Sequence, residues 1–587
     1  MKKTIISLLG CLFLLCSISV SAKAPEKAMD NKFNAYKERF VLQMWKTYPS
    51  WATSVGFHEY DDVLVVPNDQ SRANELAFCK KHLDTLKRFK IEELSDDNKT
   101  DFHLIQNQLN NTIWNITELK SWEWDPSQYN VCGTFAEMLN SDYANINTRM
   151  RNFLSRMNNV GAYYEAAKKN IKNPTKEHVE LAIEQNLGGL IVFQQDFAEN
   201  MNKCTVTDSE RFALFEKCRQ TITIIKNYTE WLKNLQNENP RSFRLGKDLY
   251  QKKFDFELQS GFKVDEIYAK AISHKQELHE KMFVITIQLW KKYFKNEGMP
   301  VDTLVAIKQL IGELSKKHVE QDSFQAAIEH QLPELTEFIK AKDLIYMDPS
   351  KPLVVRKEPG YMAGVAGASI SAPGPYDKKG NTYYNVGSLE GWDKEKAESY
   401  LKEYNNFTMQ ILNIHEAIPG HYTQLVHANK NPSIIKSIFG NNAMIEGWAV
   451  YGERTMIENG YGGYNGIDSK VSSPEMWLMY YKWNLRSTCN TILDYSVHTK
   501  NMSKDAAMKL LQEEAFQEKT EAEGKWKRVS VTQVQLDCYF TGYTEIYDFR
   551  QEEMNRLKDK FDLKKFHERF LSYGSAPVKY IKELMTK

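Results

Sequence analysis

The stretch Ile414-His415-Glu416-Ala417-Ile418-Pro419-Gly420-His421-Tyr422 gathers two imidazoles and a carboxylate in one short segment. Neutral imidazoles bind Zn2+, and a carboxylate beside them can take a proton from zinc-bound water, whose pKa falls to about 7. The two His are six residues apart rather than the four of an H-E-x-x-H helix. On an ideal helix that spacing is a rotation of about 240°, which points the rings apart. Pro419 and Gly420 lie between them, and an interior Pro breaks the hydrogen-bond ladder and bends the chain. A distorted turn there would swing His421 back beside His415. The competing reading ends a helix at Ala417 and leaves His415 in solvent.

A catalytic zinc of this type takes a third protein ligand. The segment Met444-Ile445-Glu446-Gly447-Trp448-Ala449-Val450-Tyr451-Gly452-Glu453 supplies candidates. Glu446 and Glu453 are seven apart, on one helix face, among apolar residues. Acids turned inward need a cation or hydrogen bonds. We assign Glu446 as the third ligand of one Zn2+ per chain and Glu453 as the group that orients a ligand His from behind. A pair of surface acids is the alternative.

Amide hydrolysis builds an oxyanion, which needs donors close to the metal. Tyr539 and Tyr543 share a helix face at i, i+4 and could line the site, although aromatic packing is the commoner fate of such a pair. His498 could donate to the oxyanion with Asp494, four residues earlier, fixing its tautomer; a helix ion pair accounts for the two equally well. Arg528 could hold a substrate carboxylate with two hydrogen bonds. The segment Gly367 to Pro373 reads as a short edge strand, where Ser369 and Ile370 could pair with an extended peptide, or as a Gly/Pro-rich loop.

These residues need long elements to hold them, and the chain has the text for it. It is 587 residues long, 42% hydrophobic and 26% charged, enough for about three to five domains or one large helical body. From Asp30 to Ile345 the pattern is helical. Val264 to Phe294 spaces Ile267, Ala271, Leu278, Met282, Ile285 and Leu289 along one face, and Asp302 reads as an N-cap. Pro and Gly cluster after Asp348, around three short extended runs near 353–355, 368–372 and 382–386. Helical text resumes at Trp392. The expectation is a mainly α fold with a small β-sheet near 350–390, an N-terminal helical region at 23–347 and a catalytic region at 348–587.

His415-Glu416-Ala417-Ile418-Pro419-Gly420-His421-Tyr422 followed by Glu446-Gly447-Trp448-Ala449-Val450-Tyr451-Gly452-Glu453 resembles the paired hallmark motifs of the bacterial domain-of-unknown-function 885 family. Tyr383-Tyr384-Asn385 and the block from Arg528 to Arg550 are similar to that family's pattern too. The resemblance spans most of the chain after residue 22. It implies a large multi-helix scaffold related to the gluzincin metallopeptidases, with His415, His421 and Glu446 as zinc ligands and Glu416 as general base. Many relatives carry a second His where this chain has Tyr422. The Tyr539-Phe540-Thr541-Gly542-Tyr543 string is also similar to one in thimet-oligopeptidase-like enzymes, which makes Tyr543 the first choice for the phenol facing the scissile carbonyl.

The remaining signals set location and exclude other classes. Lys2 and Lys3, an apolar run from Ile5 to about Leu15 and small residues through Ala22 read as a secretory signal at 1–22. Leu8-Leu9-Gly10-Cys11 offers a lipoprotein signal as the alternative. Either places the protein outside the cytoplasm, periplasmic or extracellular, with no membrane span after processing. Lys+Arg 77 against Asp+Glu 76 gives no basic excess for nucleic acid. Six Cys follow the leader, too few for a disulfide-built fold; Cys204 and Cys218 are the nearest pair should one oxidise. No G-x-S-x-G, P-loop or G-x-G-x-x-G motif is present. The expectation is an exported zinc-dependent peptidase acting on short or unfolded peptides. The alternatives are a metal-dependent amidase or esterase and a catalytically idle helical binding protein.

Overall fold

The computed structural model describes residues 24–235, 237–358, 367–377 and 380–587. The expected leader at 1–22, Cys11 included, lies outside the described residues, as does the stretch from Pro359 to Ala366. The architecture is mainly α with one small mixed sheet.

The elements that build the site are α1 (Lys247–Leu258), α2 (Val264–Phe294), α3 (Thr303–Ser315), α4 (Phe324–Ala341), β1 (Leu353–Lys357), β2 (Ala368–Ser371), β3 (Thr382–Val386), α5 (Thr408–Glu416), α6 (His421–Ala428), α7 (Asn442–Glu458), α8 (Pro474–Thr499), α9 (Lys519–Val531) and α10 (Asp537–Leu557). Helix α2 has the bounds its apolar spacing predicts, and Ile267, Ala271, Leu278, Met282 and Leu289 are all buried. Asp302 caps α3, accepting from the Leu304 and Val305 amides. An Asn441 side chain caps α7 and a Ser473 side chain caps α8, each taking an orphan amide of the first turn.

The sheet order is β1-β3-β2. Leu353 stands opposite Thr382 in the parallel β1–β3 pair, and Ala368 opposite Val386 in the antiparallel β2–β3 pair. Among the described residues β2 pairs on one side only. Tyr384 and Val386 point from β3 into the main core.

That core joins α1, α2 and α4 to the sheet and to α5 through α10, so side chains from both sides of residue 347 share it. A second core, Leu64 to Leu232, fills the N-terminal helices. Two contacts in the main core depend on glycine. A Cβ on Gly447 would sit 2.3 Å from the Gly542 carbonyl carbon, and one on Gly542 would sit 1.6 Å from the Ala443 oxygen. With no side chain at either position, α7 and α10 cross backbone to backbone. No described helix is long and apolar enough to cross a membrane.

Candidate metal centre

Helix α5 ends at Glu416 and α6 begins at His421. The Gly420 amide folds back to the Ile414 carbonyl at 2.9 Å. A Cβ on Gly420 would lie 1.7 Å from the His415 oxygen, so only glycine fits this return. The Trp448 indole N–H donates to the Pro419 carbonyl at 2.9 Å and ties the break to α7. The spacing argument expected a distorted turn or a solvated helix end. The structure has the distorted turn, an irregular return between two helices, and His415 is buried because α7 covers it.

The break brings the two rings to a centroid distance of 4.8 Å at 84°. Glu446 reaches from α7 between them: its Oε2 is 3.5 Å from His415 Nε2 and 3.3 Å from His421 Nε2. The three potential ligand atoms lie within 4.8 Å of one another. These are ion-pair distances without hydrogen-bond geometry, and Glu446 Oε2 is buried with no hydrogen-bond partner among the described residues. Two imidazole nitrogens and a carboxylate oxygen aimed at one point form a donor set that fits a divalent cation such as Zn2+.

Behind the cluster, Glu453 Oε1 lies 2.7 Å from His415 Nδ1 and also accepts from the Trp483 indole at 2.9 Å. With a cation at Nε2, this contact would hold the proton on Nδ1 and leave the Nε2 lone pair for the ion. Burial opposes charge on His415, but Glu446 and Glu453 outweigh it and push its pKa up to about 10. Burial likewise works against the Glu446 carboxylate, yet the two imidazoles hold it far below the usual carboxylate range. The cluster is built to hold positive charge.

Glu416 has the same position in sequence as in space, next to the ligand pair. It is 8% exposed, and nothing among the described residues hydrogen-bonds its carboxylate. Burial raises its pKa, against the pull of His421 and His415. Helix α5 is held from its other side by Asn413, which accepts from the Tyr384 hydroxyl at 2.9 Å and donates to Gln331 Oε1 at 2.6 Å.

The phenol beside the cluster is Tyr539. Its ring stacks on His415 at 6.2 Å and 19°, and its hydroxyl accepts from Arg528 Nη2 at 3.0 Å. Tyr543, expected in that role, lies one turn further along α10. Tyr543 packs against Phe540, Tyr547 and His274 and lies in the field of Arg454 and Tyr480. His498 and Asp494 are corrected. His498 Nε2 donates to the Val529 and Thr532 carbonyls at 2.9 and 3.2 Å, where α9 ends. Asp494 accepts the Val534 and Leu536 amides at 3.2 and 3.0 Å, just before α10. Both side chains are spent on chain reversal. Arg528 also donates to Gln535 Oε1 at 2.7 Å. Ser369 and Ile370 lie on β2, which packs beside α5. Tyr422 donates to the Lys351 carbonyl. The six described cysteines are all free and buried; Cys204 meets Asn147 and Cys218 meets Met157, so this pair does not form a disulfide. Trp483, Gly447 and Gly542 have roles that spacing did not reveal.

The class defined here is a mainly α protein with a His-His-Glu cluster, His415 buried and His421 and Glu446 partly so, and beside it a carboxylate with no hydrogen bond among the described residues. The chain belongs to the family described as "Bacterial protein of unknown function (DUF885)", which matches residues 49–585. It is similar to a solved structure described as "a putative lipoprotein of unknown function from Shewanella oneidensis", with 49% identity, 94% of this chain and 100% of that one covered, and a TM-score of 0.83. A second, from Colwellia psychrerythraea, is 17% identical over 96% of this chain and 98% of its own, with a TM-score of 0.73, and shares the fold. No curated protein matches the chain.

Proposed function

We propose that this protein is an exported zinc-dependent peptidase that hydrolyses short or unfolded peptides on a gluzincin-like scaffold. One observation carries the reading: His415, His421 and Glu446 point three ligand atoms at one place while Glu416, next to them, keeps an unengaged carboxylate. Glu446 Oε2, between the two imidazoles, is buried without a hydrogen-bond partner among the described residues.

His415, His421 and Glu446 would hold the ion, which supplies Lewis acidity and makes a neighbouring water acidic near neutral pH. Glu416 accepts the proton of the attacking water and returns it to the leaving amine; burial has already raised its proton affinity in that direction. Glu453 keeps His415 in its donor tautomer. Tyr539 accepts from Arg528, so its own O–H remains to donate to the oxyanion. The side of β2 that pairs with nothing among the described residues can take an extended peptide backbone, and this favours unfolded substrates. Export is supported by the leader-like segment at 1–22 and by the lipoprotein description of the 49% identical relative.

The test is Glu416→Gln in the mature protein. Turnover of a decapeptide should fall by about 10²–10⁴-fold, the scale of a lost general base, with zinc content by elemental analysis unchanged. Full activity in that variant, or wild type that cuts only non-peptide esters and amides, would sink the peptidase reading.

A further inference from the structure

Glu521, Lys525 and Arg528 fall on one face of α9, at i, i+4 and i+7. Arg486 of α8 meets them there, with its Nη2 2.6 Å from Glu521 Oε1 and its Nη1 donating to the Tyr404 hydroxyl at 3.1 Å. Three cations thus surround a single carboxylate. The neighbouring Lys482 and Glu403 cancel each other in a buried pair at 2.7 Å.

Lys525 is the anomaly. Its side chain is 3% exposed, its nearest acid is Glu521 at 3.8 Å, and no hydrogen bond reaches its ammonium among the described residues. Burial, Arg486 and Arg528 all push its pKa well down, and Glu521 only partly offsets them. An ammonium in so enclosed a place is costly unless solvent or a ligand supplies its acceptors.

The group borders the metal centre through two contacts. Arg528 hydrogen-bonds Tyr539, whose ring lies on His415, and it feels the Glu446 charge. Arg486 lies 4.8 Å over the Trp483 ring, and Trp483 donates to Glu453. Glu446, Glu416 and Glu453 are therefore the acids across from it. They face the histidines, and a divalent cation held there would balance them, leaving the three α8–α9 cations against the one carboxylate of Glu521.

We propose that Arg486, Lys525 and Arg528 form a carboxylate-binding subsite beside the metal centre, so that the preferred substrates carry a free carboxylate close to the scissile bond. The inference rests on the hydrolase reading for its setting, but not for its test. A carboxylate entering between Lys525 and Arg528 gives the ammonium its missing acceptors and brings the local charge closer to balance. Two sources have this chemistry, the C-terminal carboxylate of a peptide and an Asp or Glu side chain.

Binding is measured first, on zinc-loaded Glu416→Gln protein, by calorimetry with three peptides: one with a free C-terminus, its C-terminal amide, and the amide with a Glu near its end. At least one carboxylate-bearing peptide should bind about 10–100-fold more tightly than the plain amide, the range of one charge-assisted hydrogen bond. The added Lys525→Met substitution should erase that preference while zinc content and thermal unfolding stay unchanged; Lys525→Gln repeats the test should the Met form fold poorly. Which peptide gains identifies the source. Equal binding of all three, or a preference that survives both Lys525 variants, overturns the subsite. If wild type cleaves none of the peptides, the peptidase reading fails, and the binding result still decides the subsite. If it does cleave them, the same preference should appear in KM and vanish with Lys525.

Discussion

Two buried clusters in this protein use the same residue types and come to opposite ends. His415, Glu453 and Glu446 meet at the head of α5 and α7; His498, Asp494 and Asp537 meet where α8, α9 and α10 join. In the second, His498 Nε2 and both Asp494 oxygens have backbone partners, although His498 Nδ1 and Asp537 Oδ1 have none among the described residues. His498 donates to two carbonyls, Asp494 takes two amides, and Asp537 accepts from the Tyr250 hydroxyl at 2.6 Å. In the first, Glu453 has a comparable task, but Glu446 Oε2 and two imidazole nitrogens face one another without a hydrogen bond between them. A His beside an acid therefore says little. What separates a ligand cluster from a structural one is whether backbone groups fill the lone pairs.

The widest separation should come from metal content. His415→Ala should reduce bound zinc from one equivalent to none, whereas His498→Ala should leave it at one and cost about 1–3 kcal/mol of stability for the two orphaned carbonyls. Equal zinc in both variants would erase the distinction. Glu453→Gln should act in between: zinc affinity should weaken by about 10–100-fold in a chelator competition, since a supporting hydrogen bond is altered and no ligand is removed. Gly447→Ala tests whether α7 must meet α10 so closely. It should cost about 1–3 kcal/mol in denaturant unfolding, the range of core overpacking.

The smallest effect concerns pH in the second cluster. Burial pushes the Asp494 carboxyl up to about 7 from an ordinary 3.8, and burial together with the Asp494 charge raises Asp537, facing it, well above the usual carboxylate range. The folded chain then binds these protons more tightly than the unfolded one. Stability from this pair is complete below about pH 4 and is lost as pH rises toward about 7. Asp537→Asn should flatten that slope, matching wild type near pH 4 and exceeding it above about pH 7. An unchanged slope in urea titrations would refute the paired-acid account.

Much of this was readable from the chain alone, and the reasons are local. The bounds of α2 follow from its apolar stripe, and the three strands from the turn residues around them. His415, Glu416 and His421 were legible because Pro419-Gly420 is out of place in helical text, and Glu446 because an acid seldom sits among Trp, Ala and Val without a purpose. The errors all concern contacts between distant elements. Tyr539 and Tyr543 occupy the same face of α10, and only the crossing at Gly447 and Gly542 decides which of them lies on His415. The Asp494–His498 spacing is common to ion pairs and active sites; the end of α9 folding over it made it structural. Lys525 carries no signal in the sequence, because nothing in its own helix announces that Arg486 shares its enclosure.

The Gly447–Gly542 contact has a last consequence. Where two helices are spaced by side chains, their gap can drift as evolution swaps one bulky group for another. Here carbonyl and α-carbon touch directly, so the main chain itself gauges the distance from Glu446 to the Tyr539 phenol on α10. Changes elsewhere in the core can alter how firmly the protein holds together, but the bore of the cage is set by a dimension that mutation of neighbouring side chains has little means to retune.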